Sequence, residues 1–475
     1  MKTYPLYLNG QFVTSQKTIR VVNPATTEVF AEVCAIDRAA VAQAVKDAHA
    51  AFPAWRALTG KARGEYLKKI ADELERRRDE FARVITMENG KPLAQSAGEM
   101  AMSVDHLRWF AEEARRAYGR VIPHQTDGKR NMAIKTPMGV VAAISPWNFP
   151  LVLALRKIAP ALAAGNTVIL KPASATPVCA AVFAECVDAV KLPKGVFQLV
   201  AGSARDIAQE FLDNPLCRKI TFTGSTEVGK SLIQGAANGV KPLSLELGGH
   251  APVLVFDDAD LDAAVEGTMI TKFRNTGQSC IASNRIYVQR GAYEKFVEKL
   301  VAQTRAMKTG DGLEDGVLVG PLINEEGLHK AIEHIEDAVK HGARLLCGGK
   351  RLDRKGYFLE PTVLADVSAD ALCMSDETFA PVAPICPFET ESEGIERANN
   401  SPYGLAAYAF TRDLKRAFRL MELLEAGTIG INDGVPTTSQ CPFGGMKQSG
   451  WGRELGIEGM DAFLETKHVS LGLGI

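Results

Sequence analysis

From residue 38 to 118, charged residues alternate with Ala and Leu at helical spacing, which predicts a run of helices. The texture changes at Val140. VVAAIS, TVILK, VFQLV and KITFTG read as short apolar strands, with helical segments at 151–164, 176–190, 206–212 and from 226 onward. Apolar strands alternating with helices predict a parallel, doubly wound sheet covered on both faces. Such sheets bind nucleotides outside the carboxyl ends of their strands. After PLSLELGG the alternation restarts. APVLVF, RIYVQ, helices over 293–307 and 327–340, ARLLCGG and FLEPTVLADV outline a second α/β unit, with the boundary near Gly248 and Gly249. The segment 119–139 is extended and turn-rich, an excursion outside the first unit. The tail FLETKHVSLGL alternates like an exposed strand, a kind that often pairs with another subunit.

The chain has 475 residues, too many for one core and enough for two or three domains. Its 55 Lys and Arg balance 56 Asp and Glu, so charge points to neither nucleic acid nor an anionic membrane as partner. No apolar stretch reaches membrane-spanning length; GVVAAISPWNFPLVLAL is broken by prolines and an asparagine. The opening MKTYPLYLNGQF lacks the basic and apolar regions of a signal peptide. Nine scattered cysteines, with no C-x-x-C pair, suit a reducing compartment, so a cytoplasmic location is expected. The histidines form no ligand cluster. His329 and His334 fall on different faces of one predicted helix and read as surface residues, and no metal site is expected.

GSTEVGKS, Gly224 to Ser231, fits the phosphate-loop pattern G-x-x-x-x-G-K-[ST]. A true phosphate loop usually opens its domain, and here three strand–helix units precede it. It also lacks the extra glycines that ease backbone amides around a β-phosphate. Any helix N-terminus after a strand can hold an anion. A dinucleotide pyrophosphate is therefore favoured over ATP or GTP, with a bare structural turn as the third reading.

Three stretches carry candidate chemistry. In KFRNTGQSCIASNR, Cys280 lies among small and polar residues that leave room for a substrate; the alternative is simple packing. In LSLELGGHAP, Glu246 ends an apolar strand. It either points out from an edge or is desolvated into a base near neutral pH. In ISPWNFPL, Asn148 can cap a helix or aim its amide at a developing oxyanion, with Trp147 and Phe149 as walls.

PWNFP, FTGSTEVG, ELGG, GQSC, ETFAP and PFGGMKQSGWGRE, in this order and spread over almost the whole chain, resemble the aldehyde dehydrogenase superfamily. The resemblance implies an α/β fold of two doubly wound domains plus a small β oligomerisation element. Residues 1–118 and 138–246 would form the dinucleotide-binding domain, 247–440 the catalytic domain, and 119–137 with 456–475 the oligomerisation element. It implies that Cys280 attacks the aldehyde, while Asn148 and the Cys280 N–H hold the oxyanion. A hydride then passes to the nicotinamide, and Glu246 activates the water that hydrolyses the thioester. Gly224 and Ser225 would face the pyrophosphate, Ser145 and Trp147 line the cofactor cleft, Lys171 sits by the adenine ribose, and Glu377 and Phe379 sit at the nicotinamide ribose. Ser174 stands where many NAD-preferring members carry Glu. With no carboxylate to repel a 2′-phosphate, NADP is favoured over NAD. Ala282 replaces a second cysteine found in many relatives, so no redox disulfide is expected there.

Within that superfamily, KFRNTGQSC, GPLIN and CPFGGMKQSG are most similar to succinate-semialdehyde dehydrogenases. This implies a clamp for a distal carboxylate from Arg156, Arg274 and Thr438, with Ser439 adjacent. Taken alone, each arginine reads rather as a surface or interdomain salt bridge; Arg274 gains weight from lying six residues before Cys280. GVPTTSQC departs from the substrate loop expected in close members. Glutarate or 2-oxoglutarate semialdehyde, or a sulfonated or hydroxylated aldehyde, could fit the same clamp. The small-molecule aldehyde is the expected partner, and the chain is expected to form a homodimer or homotetramer. A nucleotide triphosphatase and a catalytically silent member of the fold are the readings from other classes.

Overall fold

A computed structural model describes residues 1–474. Its larger sheet has eight strands, in the order Gly450–Trp451, Leu243–Glu246, Cys217–Thr223, Val140–Ile144, Thr167–Lys171, Phe197–Leu199, Leu6–Leu8 and Gln11–Val13. The inner five are parallel. Every residue of Val140–Ile144 and Thr167–Lys171 is buried, which is why both read as unbroken apolar runs. Val140–Ile144 comes first of these five in the chain, yet lies between Thr167–Lys171 and Cys217–Thr223. The winding direction reverses there, so a crevice opens beyond the carboxyl ends of Val140–Ile144 and Cys217–Thr223.

The second sheet has seven strands: Arg344–Cys347, Thr362–Ala365, Val382–Phe388, Ser283–Gln289, Ala251–Val255, Ala406–Phe410 and Thr428–Ile431. It is parallel except at its Arg344–Cys347 edge. The fold is α/β with two doubly wound sheets. A separate three-stranded sheet joins Arg120–Ile122 and Lys129–Pro137 to the tail strand Leu464–Gly472, paired from Leu464 opposite Pro137 to Gly472 opposite Lys129. No helix among the described residues is long and apolar enough to cross a membrane.

Periodicity left several elements unread. The first 34 residues hold five short strands, one of which, Leu6–Leu8, pairs with Phe197–Leu199. Strands this short acquire identity only from distant partners. Gly450–Trp451 likewise returns from beyond the second sheet to pair with Leu243–Glu246. His334 is a correction: it is buried, with Nδ1 3.1 Å from Thr378 Oγ1, whereas His329 is exposed beside Glu325.

The helical run resolves into Arg38–Ala57, Gly60–Arg76, Arg78–Asn89 and Leu93–Glu113. Between the last two lies a fully buried ion pair, with Lys91 Nζ 2.7 Å from Glu99 Oε2. Lys91 also donates to the Asn148 carbonyl at 2.7 Å. The other Glu99 oxygen accepts the amides of Leu151 and Val152 at 3.0 and 3.2 Å, capping the helix Val152–Ala164. That helix has no capping side chain of its own. Its first-turn amides are satisfied from another element, with a negative charge at the positive end of the dipole. Glu99→Ala strands a buried cation and two amides. It is expected to lower stability by about 3–5 kcal/mol in urea unfolding, and the pair replacement Lys91→Met with Glu99→Leu by less.

Candidate active site

The crevice holds a cavity of about 200 Å³ between the turn Pro146–Asn148, the turn Gly224–Ser225, Cys280 and Glu377. Asn148 is buried, and its side-chain amide donates to the Gln278 carbonyl at 3.1 Å. Its own carbonyl accepts both from Lys91 and from the Asn275 side chain, the latter at 2.8 Å. One carbonyl thus ties the first sheet's turn to the loop that presents the cysteine.

That loop is bent at a cost. Asn275 and Thr276 have φ of 50° and 58°, a left-handed conformation that side chains with a Cβ disfavour. Side-chain hydrogen bonds hold it: Asn275 to the Asn148 and Gln278 carbonyls, and Thr276 Oγ1 to both the N–H and the carbonyl of Gly320. Cys280 follows at the floor of the cavity, before the strand Ser283–Gln289. Burial, with Glu377 next, pushes its thiol up to about 12, while Arg156 opposes the shift. The resting sulfur is therefore protonated. The backbone beneath is tight. A Cβ on Gly249 would lie 2.2 Å from the Cys280 carbonyl oxygen.

Glu246 ends the strand Leu243–Glu246 inside the protein, not at a solvent edge. Its Oε2 is buried and has no hydrogen-bond partner. Desolvation first, and the neighbouring Glu454 second, hold its pKa well above the usual carboxylate range; Lys157 and Arg156 pull the other way. Lys157 is itself pinned between Glu454 and the Thr223 hydroxyl.

The residues around this cavity fit a dinucleotide. Ser225 caps the helix Thr226–Ala237, whose N-terminus faces the cavity. Lys171 is buried, and burial alone pulls its pKa down to about 8. The Ser145 hydroxyl is buried without a partner, and Ser174 is exposed. Glu377 accepts the Gly249 amide at 3.2 Å, and burial raises its pKa to about 7. Phe379, at φ 53°, meets Trp147 edge to face at 5.5 Å.

The two arginines are not among the residues that line this cavity. Arg156 is buried, 4.6 Å from the Phe443 ring, and Arg274 lies 5.3 Å from the Phe149 ring. Burial is the leading cause of the depressed pKa in both, and the Arg156 charge lowers that of Arg274 further. Arg156 donates to His106 Nε2 at 3.3 Å, and Arg274 reaches only the Met102 sulfur, at 3.8 Å. Neither is held by an Asp or Glu side chain among these contacts, so the salt-bridge alternative loses its support. Thr438 is exposed, whereas the Ser439 hydroxyl is already engaged by His106 and Asp105.

The chain matches the aldehyde dehydrogenase family over residues 12–469. The chain belongs to the aldehyde dehydrogenase family. It is 49% identical to a glutarate-semialdehyde dehydrogenase of Pseudomonas aeruginosa, over 98% of this chain and 97% of that protein. It is 47% identical to an NADP(+) succinate-semialdehyde dehydrogenase of Escherichia coli, again over 98% and 97%. A crystal structure described as an E. coli NADP-dependent enzyme superposes with a TM-score of 0.98 at 46% identity, covering 99% of this chain and 98% of that chain.

In this aldehyde dehydrogenase the phosphate-loop letters carry no phosphate loop. Thr226–Ala237 is already helical, the Gly229 amide bonds back to Ser225, and Ser231 bonds back to Glu227. The backbone therefore forms no glycine-rich cradle, and Lys230 points to an exposed surface. Lys91, Glu99, Asn275 and His106 are parts of the site that the motifs did not reveal. Each acts through contacts to remote segments: Glu99 and His106 are polar letters inside a helical stretch, Lys91 lies in the break before it, and Asn275 sits within KFRNTGQSC without a signal of its own. Gly249→Ala must displace the Cys280 backbone. It is expected to lower kcat for aldehyde oxidation about hundredfold while circular dichroism remains native.

Proposed function

We propose that this enzyme oxidises a short semialdehyde bearing a distal carboxylate, with succinate semialdehyde first and NADP favoured over NAD. The observation that carries the proposal is the pair Arg156 and Arg274, both desolvated, the first near enough to Cys280 to feel its charge, and neither hydrogen-bonded to an Asp or Glu side chain although Glu99 acts on both from a distance. A buried cation without a counter-ion is costly, and a ligand carboxylate relieves that cost. Arg presents a planar fork that matches both carboxylate oxygens. The relatives named for succinate and glutarate semialdehyde both denote short aldehydes of this kind. Glutarate semialdehyde is the second candidate, because the 49% identical relative bears its name.

In this reading the Cys280 thiol gives its proton to Glu246, whose raised pKa suits an acceptor, and the sulfur adds to the aldehyde carbon. The Asn148 amide and the Cys280 N–H stabilise the resulting oxyanion. When bound, the nicotinamide supplies the two-electron acceptor the oxidation needs. Lys171, Ser145, Gly224, Ser225, Glu377 and Phe379 would hold the dinucleotide, and Ser174 leaves room for a 2′-phosphate. Glu246 then releases that proton to solvent and, as its anion, deprotonates the water that cleaves the Cys280 thioester. Residues 1–118 and 138–246 serve as the dinucleotide-binding domain and 247–440 as the catalytic domain. Residues 119–137 and 456–475 pair with a second copy in a homodimer or homotetramer, since the tail strand leaves one edge open. A cytoplasmic location suits nine free cysteines.

The deciding assay supplies succinate semialdehyde, glutarate semialdehyde and butanal, each with NAD and NADP. Succinate semialdehyde with NADP is expected to give the highest kcat/KM, and Arg274→Ala to lower it at least about hundredfold, from loss of a charged hydrogen-bonded pair. Equal use of butanal would sink the clamp. A pH profile tests the base. Glu246 works as its anion, so the rate of hydrolysis should rise with pH through its folded pKa. Glu454→Gln removes the negative charge that raises this pKa and frees Lys157. The acid limb should therefore move to lower pH; an unmoved or higher limb would rule out this coupling.

A further inference from the structure

The protons around Arg156 can be assigned one by one. Its Nε–H lies 3.3 Å from His106 Nε2. A guanidinium only donates, so Nε2 carries no proton and accepts. The imidazole proton is then on Nδ1, which donates to Ser439 Oγ at 2.7 Å. The Ser439 hydroxyl in turn donates to the Asp105 carboxylate. The donors run one way: Arg156, His106, Ser439, Asp105. His106 is 2% exposed, and burial together with the Arg156 charge holds its pKa well below the usual range, so the neutral tautomer this chain of bonds needs is the stable one.

The consequence falls on the two partners at either end of the imidazole. Arg156 has its Nε occupied and its plane set against Phe443, which leaves both terminal nitrogens for a ligand. On the other side, Ser439 anchors the loop 434–441. That loop begins against the helix Leu261–Phe273, where a Cβ on Gly434 would meet the Gly267 carbonyl oxygen at 2.9 Å. It ends against the helix Leu93–Glu113, where His106 and Asp105 sit. Arg274 spans from the end of the first of these helices to Met102 on the second. The loop and Arg274 therefore bridge the same two helices. Within the loop, the Thr437 hydroxyl is buried with no partner.

We propose that His106 is a positioning residue for the anion clamp: it holds the Arg156 guanidinium and the Thr437-bearing loop in one register, and so sets the preference for an aldehyde with a distal anion over an uncharged one. This rests on the proposed function above. A side chain of similar volume without ring nitrogens would keep the packing but release both partners.

The test compares succinate semialdehyde with butanal in His106→Phe, His106→Gln, Ser439→Ala and Arg274→Ala. In His106→Phe the ratio of kcat/KM for the semialdehyde to that for butanal is expected to fall about tenfold, through KM of the semialdehyde, the scale of one hydrogen bond to a charged group. His106→Gln, whose carbonyl can still accept from Arg156, should recover most of that KM. Ser439→Ala frees only the loop and should raise the same KM about threefold, which gives a readout even if His106→Phe does not fold. An equal fall for both aldehydes would make His106 merely structural and overturn the proposal. An unchanged ratio in His106→Phe and Ser439→Ala, with collapse in Arg274→Ala, would overturn the role of His106 and leave the clamp standing. An unchanged ratio in all variants, Arg274→Ala included, would remove the clamp and this inference together.

Discussion

Everything at the catalytic centre hangs from the buried pair Lys91–Glu99. The carboxylate supplies the N-cap that the helix Val152–Ala164 lacks, and the ammonium grips the Asn148 carbonyl. The same carbonyl takes the Asn275 side chain, which braces the left-handed turn ahead of Cys280. The Asn148 amide and the Cys280 sulfur, the groups proposed to hold and to create the oxyanion, are therefore placed by one shared acceptor, not by two independent loops. A buried pair is a weak source of stability, because desolvation offsets most of its attraction. Its value here is in register: each charge is satisfied only when the turn and the helix occupy one position.

Around this centre, charges are left incomplete in a pattern that follows the chemistry. Arg156 and Arg274 are desolvated cations on the side proposed for the substrate anion, and Lys171 is a desolvated cation on the side proposed for the cofactor. Glu246 is a desolvated acid, with a bare oxygen, beside a thiol that burial keeps protonated. Groups short of partners lower the stability of the empty protein. Ligands that complete them bind through the same deficit, which is how strain and desolvation become specificity.

Much of the fold was legible because its decisive elements are local. A parallel strand buried on both faces must be an unbroken apolar run, so VVAAIS, TVILK and KITFTG announced themselves, and their alternation with helices implied the winding. Cys280, Glu246 and Asn148 stood out for the same reason: a reactive or polar residue among small or apolar neighbours is visible in a dozen letters. The letters GSTEVGKS matched a phosphate loop, and it took their place after three strand–helix units to set that match aside, since a pattern does not say whether its backbone is a loop or a helical turn. His334 misled because helical phase separates faces without saying which face is covered.

By itself, the order of residues determined the two doubly wound sheets, the turn chemistry and the family, because these depend on periodicity and on short motifs. Only the tertiary structure decided the short edge strands at the N-terminus, the return of Gly450–Trp451 to the first sheet, and the contacts Lys91 to Asn148 and Arg156 to His106 to Ser439. Those contacts join residues 50 to 333 positions apart. A hydrogen bond across such a span leaves no periodic trace, and its partners are ordinary polar letters, Arg156 and His106 inside helices and Lys91, Asn148 and Ser439 in the turns and loops between elements. Whether a charge is solvated or stranded is set by what folds over it, and that is a property of the packed chain alone.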